Sequence, residues 1–174
     1  MNKMKTNILE PDSFGDASGF LFYKDTNYST AAIDHKREII AEFLDEINLE
    51  IVWDLGGNDR FFSRIASNKK IMTISFDIGS AIVQKNYLES VKKNEENILP
   101  LLLDLTNPST GIGWENIERS SLTGRGPVKM AFALASVHHL AISNNLPIKE
   151  IVNFFSLVCK SLIIEFVHKD DSQV

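Results

Sequence analysis

Asp54 follows a short apolar run, Ile51-Val52-Trp53, and leads at once into Leu55-Gly56-Gly57-Asn58-Asp59. A buried parallel strand that runs into a tight turn under a bound nucleotide reads this way. Glycine lets the backbone approach the ligand, and the acid faces the ligand's polar groups. A second acid, Asp77, ends the next apolar run, Ile71-Met72-Thr73-Ile74-Ser75-Phe76, about 20 residues past Gly56. That is close to the separation of about 20 expected for a carboxylate that accepts ribose hydroxyls. Further on, His138 and His139 stand side by side after a third apolar stretch. A histidine near its ordinary pKa can take a proton from an oxygen or nitrogen nucleophile. Neighbours at a strand end are expected to point apart, so at most one should face a pocket, and the pair is a poor metal chelate. A hydrogen-bonded structural histidine is the alternative for either one.

The elements that must position these residues follow from periodicity. Ser29 or Thr30 can cap a helix over about 30–47, with Ile33, Ile39-Ile40, Phe43-Leu44 and Ile47 on one apolar face. Strands are expected at 51–55, 71–76, 98–103, 129–135 and 161–167. Helices should begin near Arg60-Phe61-Phe62 and span about 80–93 and 147–159. In the helix over 80–93, Ile82, Val83, Tyr87, Leu88 and Val91 are expected to face inward. Residues 1–18 are polar and aperiodic, and residues 1–27 read as a mobile lead-in that contains one apolar burst, Phe20-Leu21-Phe22-Tyr23. Tyr28 stands where a lid would close. Residues 28–174 form the domain. Strands alternating with helices, the strands nearly unbroken in apolar character, give an α/β fold with a doubly wound parallel sheet. Every acid named above ends a strand, so all should gather at the sheet's carboxyl edge, where such folds bind ligands.

Several of these stretches resemble the class I S-adenosylmethionine-dependent methyltransferases. Asp54-Leu55-Gly56-Gly57-Asn58 is similar to their first motif and Phe76-Asp77-Ile78 to their second. Leu102-Leu103-Asp104-Leu105 resembles the adenine-side acid after strand three. Ala133-Leu134-Ala135-Ser136-Val137-His138-His139-Leu140 resembles the end of strand four. The stretch from Ile98-Leu99-Pro100 to Asn107-Pro108-Ser109, with Leu162-Ile163-Ile164-Glu165-Phe166-Val167, is similar to the methyltransferase domain of nodulation host-specificity proteins. The resemblance covers roughly residues 28–174 and implies a Rossmann-like sheet of strand order 3-2-1-4-5. It usually also implies strands six and seven, for which no residues follow Val174, so an abbreviated domain, from a fragment or truncated product, is expected.

The resemblance further implies S-adenosyl-L-methionine as cofactor, held by Asp54, Gly56, Gly57, Asn58, Asp77, Ile78, Asp104 and Leu105, with His138 or His139 as a catalytic base. Asp54 would hold the cofactor's ammonium, directly or through water, Asp77 the ribose and Asp104 the adenine amino group. Other roles remain open for each. Asp54 can cap the turn or the next helix, Asp77 can be a helix N-cap, and Asp104-Leu105-Thr106-Asn107-Pro108 is also a good turn. One position departs from the family pattern. Arg60 stands where glycine is usual, and its bulk and fixed charge are expected to crowd the positive sulfonium and weaken binding.

Bulk properties exclude other classes. The net charge is −5, and the basic pairs Lys69-Lys70 and Lys92-Lys93 are isolated, which argues against nucleic acid. One cysteine, Cys159, in an apolar helical stretch, excludes an internal disulfide and a cysteine-based zinc site and fits a reducing cytosol. No apolar run reaches the roughly 18 residues of a membrane span, and no signal peptide is visible. His35 and His168 read as solvated, while Trp114 reads as a core residue or a lid over the substrate side. The expected activity is methyl transfer to a small-molecule or glycan-related acceptor. The alternatives are a degenerate methyltransferase-like binding module and a nicotinamide-nucleotide dehydrogenase, although the turn lacks that family's three glycines. An apolar final strand with one charge, Glu165, would also expose an edge open to homo-oligomerisation.

Overall fold

The computed structural model describes residues 30–134 and 136–165. The expected lead-in over 1–27, the Phe20-Leu21-Phe22-Tyr23 burst, Tyr28, His168 and the residues from Phe166 onward lie outside them. The described chain forms α1 (Thr30–Glu46), β1 (Ile51–Leu55), α2 (Ser63–Asn68), β2 (Met72–Asp77), α3 (Ser80–Lys93) and β3 (Ile98–Leu102), followed by α4 (Leu122–Arg125), β4 (Val128–Ala133), α5 (Ile148–Val158) and β5 (Cys159–Ile164). The five strands lie in the order β3-β2-β1-β4-β5, and every neighbouring pair is parallel. This is the doubly wound α/β sheet that the alternating pattern requires.

Strand periodicity divides the core into two layers. Trp53, Leu55, Phe76, Ala131 and Ala133 point to one face and pack against Ile151, Phe155 and Val158 of α5. Val52, Met130 and Phe132 point to the other, where Ile40 and Leu44 of α1, Phe62 just before α2 and Ala66 within it cover them. Trp53 and Phe76 meet edge to face across β1 and β2, with ring centroids 5.6 Å apart. Parallel register then lines up the strand ends. Leu55 pairs with Phe76 and Asp77 with Leu102, so the tips of three strands share one edge.

Three packing expectations change. In α3 the buried stripe is Ile82, Asn86 and Ser90, while Tyr87, Leu88 and Val91 are exposed. The helix is rotated because Asn86 and Ser90 have polar partners inside, described below. Trp114 is 76% exposed rather than in the core, carried on a tight loop closed by a bridge between Ile112 and Arg119. Cys159 opens β5 instead of ending a helix, since α5 stops at Val158 and the strand begins without a connecting loop. The strand at 161–167 therefore starts two residues earlier than expected.

Phe132 is fully buried between the sheet and α1–α2. Phe132→Ala should lower unfolding free energy by about 3–5 kcal/mol in urea denaturation. Trp114→Ala should change it by no more than about 0.5 kcal/mol, as for surface substitutions.

Candidate functional site

The turn after β1 sits directly on the end of β2. The amides of Gly56 and Gly57 both donate to the Phe76 carbonyl, at 3.0 and 2.9 Å. Gly56 has φ +94°, and a Cβ there would lie 3.0 Å from the Cβ of Ser136. At Gly57 a Cβ would fall 2.1 Å from Ser75 Oγ and 3.1 Å from Asp54 Oδ2. Glycine at both positions thus follows from backbone shape in one case and close approach in the other.

Asp77 locks the next residue. Its Oδ2 accepts the Asn58 amide at 3.0 Å, and its Oδ1 accepts the Gly79 amide at 2.8 Å. The N-cap residue of α3 is Gly79, so Asp77 turns the chain into the helix from two residues upstream. Burial raises its pKa, and the amide bonds from Gly79 and Asn58 pull the other way. Ile78 beside it is 68% exposed. Asp104 lies just beyond β3, where its Oδ1 accepts the Thr106 amide and hydroxyl at 2.8 and 2.7 Å. Those bonds, the hydroxyl's above all, hold its pKa below the usual range. Leu105 is half-buried against the α5-side core.

Asp54 is 2% exposed and accepts a short hydrogen bond from the Ser63 hydroxyl at the start of α2. Burial pushes its pKa from 3.8 to about 6. The Ser63 bond and Lys36 oppose that rise, and the charges of Asp77 and Asp59 add to it. The cluster is completed by Ser136, 8% exposed, whose Oγ has no hydrogen-bond partner among the described residues.

His138 and His139 lie past the end of β4. Their rings do not point apart: the centroids are 4.0 Å from one another with the planes tilted by 41°. β4 ends at Ala133 and His138 already has helical φ and ψ, so strand geometry no longer separates the side chains. Burial lowers the pKa of His139 from its ordinary value. Among the described residues no group of three His, Cys, Asp or Glu side chains could hold a metal. No helix there is long and apolar enough to cross a membrane.

Arg60 departs most from expectation. It adopts φ +61°, the left-handed region that makes glycine usual there. Its guanidinium is fully buried and donates to Ser90 Oγ and the Asn86 carbonyl of α3. The charge therefore runs from the turn into α3 rather than standing free at the turn. Sequence reading also missed Ser63, Ser75, Asn86 and Ser136. A usable signal existed for Asn86 and Ser90, two polar residues four apart in line with Ile82.

No family model matches the chain. In sequence it is similar to the nodulation protein NoeA of Rhizobium meliloti (strain 1021), 36% identical over 148 residues, or 84% of this chain. The chain spans 31% of that relative's length. In structure it matches the bifunctional kinase-methyltransferase WbdD with a TM-score of 0.62 at 16% identity, over 91% of this chain and 33% of WbdD. It matches a SAM-dependent methyltransferase from Aquifex aeolicus with a TM-score of 0.50 at 16% identity, over 76% and 68% of the two chains. The fold is that of a class I methyltransferase. Within it, the Gly56–Asn58 turn and Asp77 occupy the ends of the first two strands of this chain's parallel sheet.

The raised pKa of Asp54 has a pH consequence. Between about pH 4 and 6 the native state holds a proton that the unfolded chain releases, so stability falls as pH rises through that window. A shift from 3.8 to about 6 corresponds to about 3 kcal/mol. Asp54→Asn should remove this loss, which would be seen as a wild-type-minus-variant difference in unfolding free energy that changes across pH 4–6 and is flat above pH 7.

Proposed function

We propose that this chain binds S-adenosyl-L-methionine over the Gly56–Asn58 turn and transfers its methyl group to a small-molecule or glycan-related acceptor. The observation that carries this reading is the joint between the turn and Asp77, two amides on the Phe76 carbonyl and one on the Asp77 carboxylate. It presents side-chain-free backbone beside a carboxylate, which suits a nucleoside. The fit is supported by the two glycines and by the orphaned Ser136 hydroxyl facing Gly56. The glycan-related class of acceptor rests only on the resemblance to nodulation host-specificity proteins.

When bound, the cofactor supplies an electrophilic methyl group on a sulfonium; the protein contributes orientation and exclusion of water. In this reading Asp77 accepts the ribose hydroxyls, with Asn58 and Ile78 flanking them. Asp54, ionised above pH 6, balances the ammonium directly or through water. Asp104 and Leu105 border the adenine. His139, its pKa lowered by burial, takes the acceptor's proton, with the tilted His138 ring beside it.

Calorimetric titration tests this. S-adenosylhomocysteine should bind saturably, and a nicotinamide dinucleotide should not. Asp77→Ala should weaken S-adenosylhomocysteine binding by about 1.5–3 kcal/mol, the scale of charge-assisted hydrogen bonds, with the fold intact, since loss of a cap costs about 1 kcal/mol. Binding of the nicotinamide cofactor alone would replace this reading with a dehydrogenase. An unchanged affinity in a destabilised Asp77→Ala would reduce Asp77 to a turn residue.

A further inference from the structure

A fully buried arginine in a left-handed backbone conformation combines two costly features. The backbone conformation opposes any residue with a Cβ, and burial opposes the charge. Glycine would avoid both. Something at this position must offset them, and the partners of Arg60 show what.

Its Nη1 donates to Ser90 Oγ at 2.6 Å and its Nη2 to the Asn86 carbonyl. Glu95 and Glu89 lie 3.9 and 4.0 Å from Nη2. Arg64, on α2, is bound to the same two acids at 2.8 and 2.9 Å. The Asn86 side chain returns from α3 to the turn, where its Nδ2 donates to the Asn58 carbonyl at 2.6 Å. The Arg60 amide closes the turn on the Gly57 carbonyl at 2.7 Å. Asn58 is therefore held on both sides, by Asp77 through its amide and by Asn86 through its carbonyl.

We infer that Arg60 is a positioning residue: its guanidinium clamps α3 to the Gly56–Asn58 turn and so preorganises the backbone and carboxylate that receive the cofactor's ribose. A glycine at this position would relieve backbone strain but leave the turn untied. Arginine accepts the strain and replaces conformational freedom with two side-chain anchors. The inference rests on the proposed cofactor reading for its ligand, but the ordering of the turn stands apart from it. Preorganisation acts on affinity by reducing what must be ordered on binding.

The test uses Arg60→Gly, Arg60→Lys and the milder Ser90→Ala, which removes one of the two anchors. Hydrogen exchange at the amides of residues 56–60 and calorimetric S-adenosylhomocysteine affinity are read on each. Arg60→Gly should speed exchange at Gly56, Gly57, Asn58 and Arg60 while β1 and β4 amides stay protected. It should weaken S-adenosylhomocysteine roughly tenfold, with a smaller effect for Ser90→Ala and Arg60→Lys. Millimolar methylguanidinium should restore part of the affinity to Arg60→Gly and none to the wild type. A purely structural arginine would instead raise exchange throughout the sheet. Unchanged exchange at 56–60 in a folded Arg60→Gly, or equal or tighter binding, overturns the inference. If the wild type fails to bind S-adenosylhomocysteine, the cofactor reading falls, and exchange at 56–60 alone then decides whether Arg60 orders the turn.

Discussion

The carbonyl of Phe76 accepts two consecutive amides, those of Gly56 and Gly57, and much of the site's shape depends on that joint. It fixes the end of β1 against the end of β2 at the point where the sheet stops. Two amides can converge on one oxygen only if the chain folds back sharply, which requires the positive φ of Gly56 and the absence of a side chain at Gly57. Once they converge, the next amide, that of Asn58, is delivered to the Asp77 carboxylate. The separation of about 20 residues between the glycines and Asp77 is then a geometric result. It is the chain length of one short helix and one strand that return parallel beside the first.

The joint lies over a layer of buried charge, and two ionisable groups meet that burial differently. Asp54 faces Ser63, with Asp77 and Asp59 near enough to raise its pKa, so protonation relieves the cost at mildly acidic pH. Arg60 also feels burial first, and Arg64 adds to the downward pressure on its pKa, yet the value only falls to about 10 because Glu95 and Glu89 stand by. It stays charged. Those acids are shared with Arg64, so α2, α3 and the turn are joined through one set of carboxylates. The arrangement makes sense of α3's orientation. Asn86 and Ser90 turn inward because Asn58 and Arg60 need them, and Tyr87, Leu88 and Val91 are consequently turned out.

The parallel α/β sheet was legible because it rests on signals with strong periods, unbroken apolar strands and intervening helices. The strand order was implied only by the family resemblance, and the observed order β3-β2-β1-β4-β5 agrees. The positions of Asp54, Gly56, Gly57 and Asp77 were legible for the same reason, since each marks the end of a strand. Side-chain direction was harder. Apolar spacing alone suggested that Tyr87 and Leu88 faced inward, but a buried hydrogen-bond network outweighed it. Strand geometry would separate the two histidine rings, but the chain is already helical there. Charge and size are all that the sequence shows of Arg60, and only tertiary structure reveals that its partners come from a helix about 30 residues onward in sequence.

That last difference bears on how such a motif varies. A glycine at the position of Arg60 permits the left-handed backbone without strain and asks for no guanidinium partners on α3. An arginine makes the turn conditional on α3: Ser90 and the Asn86 carbonyl must be in place, Asn86 must reach Asn58, and acids must lie close enough to keep the guanidinium charged. Substitution at one residue of the turn therefore carries requirements at several residues of a helix that touches no ligand in this reading. Single-position comparison with a motif registers the change as a loss. The physical account is an exchange, in which freedom encoded in one residue is replaced by a constraint distributed over Arg60, Asn86, Ser90 and Glu95.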